Sequence, residues 1–236
     1  MIMMFLCLAG AILNIVINLL NIYAGIPLYM DTILTITITL TCGFFWGASC
    51  GALTNIIGHS FIGGGWEGYL FVICNIATAF VTWLFMRLFP QELNLSAGNL
   101  NAKGVSNEPH YLQRAKPHQA DIYRSSLFSM IMDRVIVLII FSFALCFAMS
   151  FLGGLIAAAI LALTSSVSGE SRFTALFSAS MFKGNTPVFV AEIVSRIPVN
   201  TIERLISAFS GYGIALALRR LLNFFLNPRV FKSPQH

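Results

Sequence analysis

Charged side chains are scarce in this sequence: they make up 10% of its 236 residues, against about 25% in an ordinary soluble domain. So thin a supply cannot coat a water-facing surface, which excludes a soluble globular protein. Catalytic signatures are missing as well. There is no G-x-x-x-x-G-K-[ST] phosphate loop, no H-E-x-x-H pair and no Ser-His-Asp set, so the chain does not hydrolyse ATP by the usual route and no enzyme is expected. Cysteine occurs without pattern. Cys7, Cys42, Cys50, Cys74 and Cys146 all lie inside apolar runs, with no Cys-x-x-Cys pair. They read as small packing residues rather than as a disulfide framework or a metal site. The four histidines are scattered, and the spacing of His110 and His118 in one polar stretch does not make a metal site. No cofactor is implied.

What the sequence has is apolar length. Hydrophobic residues make up 57% of it, the mean hydropathy is +0.82, and runs near the ~20 residues that cross a ~30 Å hydrocarbon core recur. Lipid offers no partner to an open sheet edge, and no run alternates as a barrel strand does. The fold class is therefore an all-α integral membrane protein, a six-helix transmembrane bundle forming a single membrane domain over 1–236. Helices are predicted at 1–20, 30–42, 44–60, 68–89, 131–163 and 198–222, the second and third short and meeting at Gly43. Residues 1–89 form a four-helix half. Residues 90–130 contain a polar, Asn-rich loop, and 131–226 form the second half, with short outer helices over 171–196 bounded by Gly184, Pro187 and Pro198. The opening run MIMMFLCLAGAILNIVINLL has no basic n-region and no small-residue cleavage site, so it reads as the first membrane helix, with a short basic leader expected ahead of it.

Basic residues set the orientation. On this layout Arg87, Lys103, Arg114, Lys116, Arg124, Arg134, Arg219, Arg220, Arg229 and Lys232 fall on one side, and only Arg172, Lys183, Arg196 and Arg204 on the other. The positive-inside rule then places both termini and the 90–130 loop in the cytoplasm. The pI near 9.1 follows from that placement and implies no nucleic-acid partner.

Polar side chains crowd the outer halves of the predicted helices. Asn14, Asn18 and Asn21 share a face of the first helix, Asp31 and Thr35 share one at the start of the second, and Asn55 and His59 lie near the end of the third. Asn75 sits in the outer half of the fourth helix, below Trp66 and Glu67. Glu192, Arg196 and Asn200 are spaced by four, and Asn200, Glu203 and Arg204 open the last helix. Asp31 has two readings: it caps the second helix, whose free N–H groups and dipole favour a carboxylate, or it also lines a polar pocket open to the outside. Buried amides can likewise be interhelical glue. The clustered set points to a solute pocket, with Asn18, Asn21, Tyr29, Asp31, Thr35, Asn55, Trp66, Asn75, Arg196, Asn200 and Arg204 as candidate ligand-binding residues. Gly43, Gly47 and Gly51, and again Ser207, Gly211 and Ala215, recur every four residues and allow close helix packing, within the bundle or against another membrane subunit. No ionisable path crosses the membrane and no pair of broken helices recurs in both halves, so a self-driven transporter is not indicated.

Two stretches carry a family resemblance. The run NLLNIYAGIPLYMDTILTITITLTCGFFWGASCGALTN (18–55) with Asn75, and RIPVNTIERLISAFSGYGIALALRRLL (196–222), together resemble the substrate-binding membrane subunits (S components) of energy-coupling factor (ECF) vitamin transporters. The pattern is also similar to the membrane sensor region of some bacterial histidine kinases. The resemblance implies a six-helix bundle in the plasma (inner) membrane of a prokaryote, with an outward pocket for a vitamin-like small molecule lidded by the loop before Asp31. It implies partnership with a scaffold transmembrane subunit and ATPase subunits, the set forming an ABC importer. Docking in that family uses small residues on the first helix, where Cys7, Gly10, Ala11 and Asn14 are the nearest equivalents. The related reading is a ligand sensor acting through a separate signalling partner.

Overall fold

Inside a bilayer only the chain itself can satisfy its backbone N–H and C=O groups, and among the described residues every regular element is a helix. The structure, a computed structural model, describes residues 1–26, 28–62, 65–93, 117–164, 180–181 and 186–226. Its elements are α1 (Ile2–Tyr23), α2 (Ile33–Cys42), α3 (Phe44–Ile62), a 3-10 segment (Trp66–Phe71) running into α4 (Val72–Leu88), the short α5 (Pro90–Leu93), α6 (Pro117–Thr164) and α7 (Val188–Leu226). Four stretches are long and apolar enough to cross a membrane: Ile2–Tyr23, Trp66–Leu88, Ile131–Leu163 and Val188–Leu222. They make this a multi-pass membrane protein.

The bounds differ from the expected ones at two places. A helix is under way by Pro117, inside the stretch read as a loop, of which 94–116 lie outside the described residues. Residues 188–196, expected as a separate short outer helix, are the first turns of α7, which continues through Pro198; most of 165–187 lies outside the described residues. A proline removes one backbone donor, and in a membrane helix packed against neighbours the turn survives that loss. Here the turns before Pro198 are held by the Glu192–Arg196 pair and by Ile193 against Gly154 of α6.

The centre of the molecule is α2. Its sequence ILTITITLTC is rich in β-branched residues that would suit a strand in water. As a helix it hides its own polar groups. Thr37, Thr39 and Thr41 hydroxyls donate to the carbonyls four residues earlier at 3.0, 2.7 and 2.9 Å. Residues Ile33 to Leu40 are buried on every side, enclosed by α1, α3, α4 and α7. Close approach is what permits this: Gly47 and Gly51 of α3 back onto Thr39 and Thr35, and Gly211 of α7 onto Ile33 and Ile36. Gly43, with φ 92°, makes the reversal between α2 and α3. A second apolar cluster, including Phe85, Phe141, Leu145 and Tyr212, packs the bundle towards the far end of α2.

At about 1.5 Å per residue the ten residues of α2 extend about 15 Å, half of a ~30 Å hydrocarbon core. Its N-terminus is therefore set back inside the bundle. In the antiparallel α2–α3 register Thr39 meets Gly47 and Thr35 meets Gly51, which brings Asp31 level with Asn55. Along α1, Gly10 meets Ile38 and Asn14 meets Thr35, so Asn18 reaches the same level. Seven further residues of α3, about 10 Å, rise beyond it.

Candidate functional site

The set-back start of α2 gathers most of the buried charge among the described residues. The loop from α1 descends to it through Met30, a non-glycine residue held at φ 47°, a conformation that costs on the order of 1 kcal/mol or more. The turn delivers the backbone N–H groups of Tyr29 and Met30 to the carboxylate of Glu203. Glu203, on α7, is 1% exposed and pairs with Arg204 at 2.8 Å. The second arm of the Arg204 guanidinium donates to Thr32 Oγ1. One α7 dipeptide thereby clamps both sides of the descending loop.

Asp31 follows from the other side. Its carboxylate accepts from Asn75 Nδ2 at 3.2 Å, and the same amide donates to Gly51 O at 3.2 Å. The expectation that Asp31 caps α2 does not describe what is found: no side-chain cap bond forms at that helix start. The work is done in trans by Asn14 of α1, whose Oδ1 accepts from Leu34 N at 2.9 Å while its Nδ2 donates to Thr35 and Thr54 at 3.3 Å each. Freed from capping, Asp31 is only half-buried although it lies at mid-height of α3.

A second ion pair lies higher on α7. Arg196 meets Glu192 at 3.1 Å, both buried, and Arg196 lies within electrostatic reach of Tyr29. Cys74 of α4 senses Arg204, Arg196 and Asp31 together, which ties the two pairs and the aspartate into one neighbourhood. Buried ion pairs recover the several kcal/mol cost of desolvating each ion only with good geometry, and ionisable side chains at membrane depth usually serve function. Several buried polar atoms in the bundle have no hydrogen-bond partner: Asn18 Oδ1, Asn21 Nδ2, Asn55 Oδ1, Arg204 Nε and Ser207 Oγ.

Of the residues expected to bind ligand, Tyr29, Asp31, Asn75, Arg196 and Arg204 thus come together, Asn18 and Asn55 share the level of Asp31, and Asn21 is buried on α1 about one turn beyond Asn18. Three do not join them. Thr35 belongs to the Asn14 network, Asn200 bonds Ser150 of α6 at 2.9 Å, and Trp66 is 57% exposed in the 3-10 segment. Glu203, Glu192, Thr32 and Cys74 belong to the site without having been singled out for it. The four-residue spacing of Glu192 and Arg196 and the place of Glu203 beside Arg204 at the start of the predicted last helix were the signals for the two carboxylates; Thr32 and Cys74 had none. Cys7, Gly10, Ala11 and Asn14, the positions assigned to subunit docking, are buried against α2 and α3 of this same chain. The opposite face of α1, with Leu8, Ile12, Val16 and Leu20, is the exposed one.

No family model, curated protein or solved structure matches the chain.

Proposed function

We propose that this protein is a membrane-embedded binding subunit for a vitamin-like small molecule, the S component of an ECF-type ABC importer, with six membrane crossings and both termini in the cytoplasm of a prokaryote. The observation that carries the reading is the set-back start of α2. That end of the helix is where Asp31, Asn75, Arg204 and Glu203 converge. Fixed polar groups gathered at this depth suit the recognition of one small solute. The chain carries no ATP-binding motif of its own, so transport draws on separate ATPase subunits and a scaffold subunit. With the usual small-residue face of α1 turned inward, the exposed apolar face of α1 is the one left for such a scaffold or for lipid.

The test is native mass spectrometry of the protein purified in mild detergent. A stoichiometric small molecule retained through purification, together with co-purifying ATPase subunits, supports the importer. A bound molecule with a signalling protein in place of the ATPases favours the related sensor. An empty protein, with no vitamin in a panel raising its unfolding temperature, overturns the proposal.

A further inference from the structure

Resting on that reading, the charges at the site name a class of ligand: we infer that it takes a small organic cation, its positive group seated against Asp31. The argument is one of pairing. Arg196 is matched by Glu192 and Arg204 by Glu203, so each arginine is already neutralised and neither is left to attract an anion. Asp31 is the surplus. Its one partner is the neutral amide of Asn75, and among the described residues no cation pairs with it. With every group in its ordinary charge state these five side chains carry one net negative charge.

Hydrogen bonding points the same way. Asn18 and Asn55, level with Asp31 on the flanking helices, each leave Oδ1 buried with no donor. Two acceptors and a carboxylate at one height call for a group that brings N–H donors, as a protonated amine does. The start of α2 acts against a cation, but a helix end amounts to roughly half a charge and the carboxylate carries a whole one. The donors left over, Arg204 Nε and Asn21 Nδ2, require acceptors. The ligand therefore also carries neutral oxygen or ring-nitrogen acceptors, which excludes a bare metal ion. A carboxylate or phosphate ligand would have to displace Glu203 from Arg204 and sit beside Asp31.

The experiment compares two panels on the full-length protein in lipid nanodiscs, read by unfolding temperature and by radioligand competition. One panel holds primary amines and heteroaromatic cations that bear hydroxyl or ring-nitrogen acceptors. The other holds vitamins and metabolites whose charge is a carboxylate or phosphate. A stabilising cation, with at least tenfold weaker binding in Asp31→Asn and partial recovery in Asp31→Glu, supports the inference. Asp31→Asn must unfold within a few degrees of the parent in the absence of ligand. If it does not, Asn18→Ala and Asn55→Ala serve instead, with binding weakened at least threefold expected of each and unchanged binding counting against the inference. A bound anion or neutral molecule overturns the charge class and leaves the solute-binding reading standing. No stabilisation by either panel and no retained molecule overturns both.

Discussion

Glu203 and Arg204 are neighbours in sequence, and each holds a different element: the carboxylate takes the Tyr29 and Met30 backbone, the guanidinium takes Thr32. Removing one partner strands the other in a place water does not reach. Arg204→Gln is expected to destabilise the protein by about 3–5 kcal/mol, and adding Glu203→Gln to recover most of that, in a double-mutant cycle read by denaturation in detergent. Asn14 predicts a smaller loss. Asn14→Ala leaves the Leu34 N–H unsatisfied inside the bundle and is expected to cost about 1–3 kcal/mol. The part of the site carried by polar residues in apolar runs was legible in the sequence, because an amide or carboxylate at that depth is conspicuous. What it could not show was pairing. Spacing leaves Asn14 as a docking position or part of a polar face and Asp31 as a cap or a pocket residue, since it does not disclose that the capping oxygen comes from another helix.

At the scale of elements the fold turns on how closely α2 is approached. A methyl group on Gly51 would lie 3.0 Å from Asn75 O and 3.1 Å from Thr35, so Gly51→Ala pushes α3 off both neighbours. A loss of about 1–3 kcal/mol is expected, with weaker ligand retention because Asn75 holds Asp31. Gly213→Ala is the control. Nothing lies within 4 Å of the added carbon there, and alanine's better helix propensity is expected to leave stability unchanged or raised by up to about 1 kcal/mol, as thermal unfolding would reveal. The break at Gly43 and the four-residue glycine spacing were visible in the sequence. The continuation of α7 through Pro198 was not, because a proline marks a boundary in solution and only a kink where neighbouring helices hold both sides.

Across the whole molecule, the described helices place Tyr23 and Arg87 at opposite ends of the bundle, since α1 ends beyond the Asp31 level and α4 runs from that level to the far end. Both are exposed. On the proposed orientation, a cysteine at 23 is expected to react with a membrane-impermeant maleimide in intact cells, and one at 87 only after lysis. The reverse pattern would invert the proposed orientation. The half-length of α2 has a consequence for how the chain is made. Ten residues cannot hold themselves across a bilayer as they leave the ribosome, and Thr37 finds its α7 partner Gly211 only 174 residues later in the chain. The nascent hairpin of α2 and α3 must wait in the membrane, incompletely sheathed, until the last helix arrives, so the polar cluster around Asp31 is the final part of the protein to be assembled.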